Sequence, residues 1–216
     1  MGSRWAEIRV FCGQVWRNYH TTGAVLPSGR RLAAALARYV AGDGPPKRIL
    51  EAGPGTGAVT RRIAKAMRPE DRLDLVELNE RFVACLTRGL ADDPLLKQVA
   101  DRTRVLHCAV ETLPAEPCYD VIVSGLPLNN FSAAAVEGIL KKFAELLRPG
   151  GTLSFFEYMA MRPLRAVVSG RAGRERLRGI GRAMAAVLQA GEVRRDWVWA
   201  NVPPAWVHHV RFGAVP

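Results

Sequence analysis

The sequence predicts an α/β fold in which a mostly parallel, seven-stranded sheet ends in an antiparallel hairpin and is preceded by an N-terminal amphipathic helix. Three observations carry this. From Arg48 onward, short apolar runs alternate with stretches of helical periodicity; three glycines, Gly53, Gly55 and Gly57, stand between the first apolar run and the first helix; and from Val193 the alternation gives way to two strand-like segments around Pro203-Pro204. At 216 residues the chain suits one domain spanning 1–216, since two independent cores would be cramped in that length.

The elements follow in order. Residues 4–19 place Trp5, Ile8, Phe11, Cys12, Val15, Trp16 and Tyr19 at helical spacing, with Arg4, Glu7, Arg9, Gln14 and Arg17 largely opposite. A break at Thr21-Thr22-Gly23 and Pro27-Ser28 precedes a second helix from about Gly29 to Val40, which Gly42-Asp43-Gly44-Pro45-Pro46 ends. Residues 1–46 thus form an N-terminal part, and 47–216 the sheet-bearing core. In that core the pattern predicts strands at 48–52, 72–77, 104–108, 119–124 and 151–157, with helices at 58–67, 79–90 and 132–148. Residues 161–191 read as a basic amphipathic insertion, and Val193–Val202 and Trp206–Phe212 as the closing hairpin.

Composition narrows the class. A hydrophobic share of 49% argues for a packed core rather than disorder. The formal charge of +11 favours a polyanionic partner, and residues 161–195 concentrate it, with nine arginines against two glutamates. No apolar run is long enough to span a bilayer, and the first residues lack a signal-peptide core, which predicts a cytoplasmic protein. Cys12, Cys85, Cys108 and Cys118 are too scattered for a zinc pattern, so no metal is expected.

The segment Ile49-Leu50-Glu51-Ala52-Gly53-Pro54-Gly55-Thr56-Gly57 has the context of a nucleotide-cofactor loop, in which residues without side chains let the backbone turn and approach a ligand. Glycine spacing alone leaves a dinucleotide in play. Glu51 favours the other reading: a carboxylate before the loop would repel a pyrophosphate and suits the cationic methionine end of S-adenosylmethionine. Glu77, 20 residues after Gly57, is placed to accept hydrogen bonds from both ribose hydroxyls. Pro54, Thr56 and Leu78 complete these turns, and Cys108, Ala109 and Val110 stand where the adenine would lie, with Glu111 as an alternative contact. The expected product is S-adenosylhomocysteine.

At the end of the fourth strand, Ser124-Gly125-Leu126-Pro127 would present backbone carbonyls to an acceptor amine. Together with Thr22-Gly23-Ala24-Val25-Leu26-Pro27-Ser28-Gly29-Arg30, the glycine loop and Asn201-Val202-Pro203-Pro204-Ala205, in this order, it makes the chain resemble the bacterial phospholipid N-methyltransferases over roughly residues 5–212. Gly29 stands where that family often has a second Ser, and Cys108 where Asp is common.

The resemblance implies the Rossmann-like fold of class I methyltransferases, and stepwise methylation of phosphatidylethanolamine towards phosphatidylcholine. It also implies that Trp5–Tyr19 rests on the inner face of the cell membrane and that Gly23–Arg30 forms a lid. Trp5, Ile8, Phe11 and Trp16 on one face, with Arg30, Arg162 and Arg165 as phosphate contacts, have the composition of an interfacial surface. The partners implied are an anionic membrane and an aminophospholipid, without nucleic acid. The amine must lose a proton, for which Tyr19, His20 and Tyr158 are candidates, Tyr19 first because it adjoins the lid. Other aminolipids such as ornithine lipid would fit the same motifs. An RNA adenine N-methyltransferase is a rival, since Ser124-Gly125-Leu126-Pro127-Leu128 is similar to the Asn-Leu-Pro-Tyr signature, though no aromatic residue is present to stack on a base. A non-catalytic lipid- or RNA-binding module that kept the fold is the third reading.

Overall fold

The computed structural model of the chain describes residues 29–159 and 171–212. The expectations for Trp5, Ile8, Phe11, Trp16, Tyr19, His20, Arg162 and Arg165 lie outside these residues. Helix α1 (Arg30–Leu36) leads to strand β1 (Arg48–Ala52), then α2 (Ala58–Ala66), β2 (Arg72–Glu77), α3 (Glu80–Asp92), β3 (Thr103–His107), β4 (Tyr119–Ser124), α4 (Ala133–Leu146), β5 (Leu147–Tyr158), α5 (Arg171–Gly191), β6 (Glu192–Val198) and β7 (Ala205–Arg211). The seven strands form one sheet in the order β3-β2-β1-β4-β5-β7-β6. β1 to β5 pair in parallel, while β7 runs antiparallel to both β5 and β6.

Each layer follows from local chemistry. The side chain of Asn79 accepts the Arg81 N–H at the start of α3, and Ser132 accepts the Ala135 N–H at the start of α4. α1 ends at Leu36, earlier than its apolar periodicity suggests. The chain tightens there into turns, and the Lys47 ammonium donates to the carbonyls of Tyr39, Val40 and Ala41. α1, α2 and α3 cover one sheet face through Leu32, Leu36, Val59, Ile63 and Leu86; α4 and α5 cover the other through Val136, Ile139, Phe143, Leu177, Ile180 and Met184.

Residues 171–191 are therefore no insertion: they form the helix that connects β5 to β6. Leu177, Ile180 and Met184 of this amphipathic stretch are buried against α4, because the apolar stripe of a crossover helix is what holds it to the sheet. Arg171, Arg174, Arg178 and Arg182 remain exposed on the opposite side.

One carboxylate joins four strands. Asp74 on β2 accepts from Arg48 of β1, Arg104 of β3 and the Tyr119 hydroxyl of β4, at 2.7–3.3 Å. Burial pushes its carboxyl up, but the hydrogen bonds from Arg104, Tyr119 and Arg48 outweigh this and hold it below the usual carboxylate range. Asp74→Ala is expected to cost about 2–3 kcal/mol in chemical denaturation, towards the lower end for a broken buried ion pair because both guanidinium groups keep contact with water. A midpoint unchanged from wild type would show that the network contributes nothing net.

Candidate active site

β1 has β2 on one side and β4 on the other, so the helices that follow β1 and β4 leave towards opposite faces and open a crevice at the carboxyl ends of these strands. The glycine loop and the turn after β4 face each other across it. Gly53, Gly55 and Gly57 have φ values of 71°, 55° and 81°, a left-handed backbone that L side chains rarely adopt, so three turns in five residues depend on glycine. Gly57 then caps the start of α2.

The two loops interlock. The Gly125 N–H donates to the Ala52 carbonyl at 2.9 Å, the Gly53 N–H donates to Val76 at 2.9 Å, and the Leu126 side chain closes over Gly53 so tightly that a Cβ on Gly53 would lie 2.5 Å from Leu126 Cδ2. Ser124 is fully buried, its hydroxyl accepting the Leu126 N–H at 3.4 Å. Ser124, Gly125 and Leu126 thus sit beside the cofactor loop, as the sequence suggests, and they also fix its shape. The turn continues into Leu128, which packs in the core.

Glu51 is fully buried, and neither of its carboxylate oxygens has a hydrogen-bond partner among the described residues. Burial pushes its carboxyl up to about 8; the nearby Thr60 hydroxyl, whose geometry falls short of a hydrogen bond, pulls it back only in part, and the neighbouring Glu77 carboxylate adds to the rise. A buried, unpartnered acid beside a glycine loop is the arrangement that a cationic ligand would complete. Glu77 is held for its task by its neighbours: it accepts the Gly55 N–H at 3.1 Å and the Asn79 N–H at 2.8 Å. Burial raises the Glu77 carboxyl, with the backbone N–H groups of Asn79, Gly55 and Leu78 pulling it back.

The remaining predicted contacts gather at the same edge. Pro54 is buried, Thr56 half-buried, and the Leu78 carbonyl lies 3.1 Å from the His107 ring, which joins the ends of β2 and β3. Cys108, Ala109 and Val110 turn away from β3, with Cys108 packed against the core and Val110 buried in it. Glu51 and the glycines would hold the methionine end of S-adenosylmethionine, and Glu77 its ribose, with the turn after β3 left for the adenine.

Tyr158 is half-buried at the end of β5. It packs edge-on against Phe156 at 5.0 Å, and burial pushes its hydroxyl pKa up, which favours the protonated phenol. Arg30 lies exposed at the start of α1. Sequence reasoning missed Glu157, a buried carboxylate two residues beyond Phe155, the partner of Ser124 across the β4–β5 pair. Its Oε2 lies 3.9 Å from His208 Nε2, and His208 Nδ1 lies 2.6 Å from Glu192. The signal was present: Glu157 is the one charged residue in the run Leu153-Ser154-Phe155-Phe156-Glu157-Tyr158. Arg176 was also missed; it donates to the carbonyls of Asn129 and Phe131 and pins the turn after β4.

Residues 49–151 match the family described as a methyltransferase domain. The ornithine lipid N-methyltransferase of Singulisphaera acidiphila is 24% identical over 145 residues, which cover 67% of this chain and 74% of that protein. The tRNA1(Val) (adenine(37)-N6)-methyltransferase of Pedobacter heparinus is 34% identical over 92 residues, covering 43% of this chain and only 37% of that one. In fold, the chain is similar to the Burkholderia thailandensis 1,6-didemethyltoxoflavin-N1-methyltransferase, crystallised with S-adenosylhomocysteine, at 19% identity and a TM-score of 0.65 over 99% of this chain and 92% of that one. The chain thus has the Rossmann-like fold of class I methyltransferases, and residues 49–151, which match the methyltransferase domain, hold the glycine loop and the two carboxylates that suit S-adenosylmethionine.

Proposed function

We propose that the chain methylates the amine of an aminophospholipid head group, phosphatidylethanolamine first, at the surface of an anionic membrane. The observation that carries this reading is the Ser124-Gly125-Leu126-Pro127 turn, whose Leu126 seats on the cofactor loop and whose carbonyls border the crevice at the end of β4. The chain's motifs resemble those of phospholipid N-methyltransferases at this turn and at the Gly23–Arg30 segment. The likeness to an ornithine lipid N-methyltransferase supports an aminolipid acceptor and favours ornithine lipid as the second reading.

S-adenosylmethionine supplies an electrophilic methyl group on a sulfonium. The protein's part is to align the amine, exclude water and hold the proton that the amine gives up. Glu157 is suited to attract an ammonium at the carboxyl end of β5, and Tyr19 or His20 to take its proton.

Base methylation is less well supported. A flipped adenine needs an aromatic platform after the turn, but Leu128 stands there and is buried. Among the described residues no helix is long and apolar enough to cross a membrane, which is compatible with surface attachment. Purified protein given methyl-labelled cofactor should label phosphatidylethanolamine in anionic vesicles. Label in ornithine lipid alone would move the assignment to that head group, and label in tRNA with none in either lipid would overturn the proposal.

A further inference from the structure

The hairpin of β6 and β7 turns at residues 199–204, just beyond the paired Val198 and Ala205. Because β7 runs antiparallel to β5, with Tyr158 opposite Ala205, this turn lies at the carboxyl edge of the sheet, the edge that carries the cofactor crevice. Its apolar residues are turned outwards. Trp197 is 55% exposed, Trp199 65% and Val202 71%, the largest exposed hydrophobic side chains among the described residues together with Val193. Trp197 stacks on Trp199 with centroids 5.4 Å apart and meets Trp206 edge-on at 5.7 Å. A contiguous aromatic cluster in water marks an interaction surface more often than a chance of packing.

Cations flank it on both sheet faces. The Gly29 N–H donates to Asn201 Oδ1 at 3.1 Å, which ties the start of α1, with exposed Arg30 and Arg31, to the turn. On the other face α5 runs back from β6, so its first residues, exposed Arg171 and Arg174, come up to the same edge; Arg176 touches the loop after β4 there. Glu175 is the one acid among residues 171–178, and residues 29–37 and 199–204 hold none. Arg194 and Arg195 do not count towards the patch, since Asp196 and Glu192 neutralise them.

We propose that this hairpin tip is a membrane-docking surface for an anionic phospholipid bilayer, with Trp197, Trp199 and Val202 entering the head-group layer and Arg30, Arg31, Arg171 and Arg174 meeting lipid phosphates. Tryptophan is favoured at that depth because its ring is apolar while its N–H keeps a polar partner, and each basic residue near the surface adds electrostatic attraction. Docking by this edge sets the crevice against the head groups. The inference rests on the lipid reading for its purpose, while its geometry is independent of the acceptor.

The test compares wild type with the Trp197→Ala/Trp199→Ala double variant. Vesicles of equal parts phosphatidylglycerol and phosphatidylethanolamine are expected to sediment the wild type, to shift its tryptophan emission to the blue and to lose it as salt is added. The double variant should bind them about tenfold or more weakly, while its affinity for S-adenosylhomocysteine, measured by calorimetry, stays at the wild-type value. Vesicle binding undiminished in the variant overturns the docking surface, even if detergent-dispersed aminolipid is still methylated. Loss of a dimer in the variant, seen by sedimentation velocity, would also overturn it in favour of a face between two copies. If the variant loses vesicle binding but no aminolipid is ever labelled, the docking surface stands and the proposed acceptor falls.

Discussion

Glu51→Gln is expected to stabilise the cofactor-free protein and to weaken cofactor binding. The carboxyl stands at about 8 against an ordinary 4.5. At about 1.4 kcal/mol per unit, keeping it charged in its buried place costs a few kcal/mol. The sign follows from proton counts. Between 4.5 and about 8 the folded protein holds a proton on Glu51 that the unfolded chain has released, so wild-type stability falls as pH rises through that window. The glutamine variant has no such proton, and its advantage in thermal melts should widen from pH 6 to pH 8.5. Binding of a cation reverses the balance by drawing the proton off. Wild-type affinity for S-adenosylmethionine should therefore strengthen as pH rises towards 8, approaching tenfold per unit, while the variant shows a flat and about 30-fold weaker affinity. Equal affinities measured by calorimetry across this range would mean that Glu51 does not face the cofactor.

Gly125→Ala should have the larger effect on the site. A Cβ there would lie 2.6 Å from the Gly53 carbonyl oxygen and 3.7 Å from that of Ala52. Neither atom can yield cheaply, since both loops are tied by backbone hydrogen bonds, Gly125 to Ala52 and Gly53 to Val76. The glycine loop and the turn after β4 must separate, which removes the shape of the cofactor cradle as well as the seat of Leu126. More than 100-fold loss of S-adenosylhomocysteine affinity is expected, with a drop in melting temperature for about 2–3 kcal/mol of overpacking strain. Gly89→Ala is the control: it lies within α3, its nearest neighbour is the flexible end of Leu96 at 3.2 Å, and alanine improves helix propensity. Full binding by Gly125→Ala would show that the two loops can part without cost.

Much of this architecture was legible because its signals are local. Strands 48–52, 72–77 and 119–124 coincide with their apolar runs, and Glu51 and Glu77 announced themselves as carboxylates near strand ends, one just before the glycine loop and the other 20 residues after it. What was not legible depended on contacts far apart in the chain. The periodicity of residues 171–191 specifies an apolar stripe but not its partner, so a crossover helix buried against α4 and a membrane-facing insertion read alike. The roles of Ser124 and Gly125 as packing elements, and of Arg176 as an anchor for the turn after β4, needed the opposed loops in space. Tyr158 was a candidate base by residue type, and its packing against Phe156 could be read only from the fold.

The position of β7 reaches beyond the site. The last strand among the described residues is not the last in the sheet: it slots between β5 and β6, and it brings Ala205, Val207 and Val210 to the cores on both faces. While a growing chain is still on the ribosome, β5 is therefore an open edge and α1 lacks part of its floor, so a nascent protein that already has its glycine loop is sticky and incomplete. Losing residues 205–211 would not trim an appendage; it would leave β6 without a neighbour and β5 with an unpaired edge. Residues 205–211 work as a keystone, and quality control acting on chains that have not yet made them would meet this protein in an unusable form.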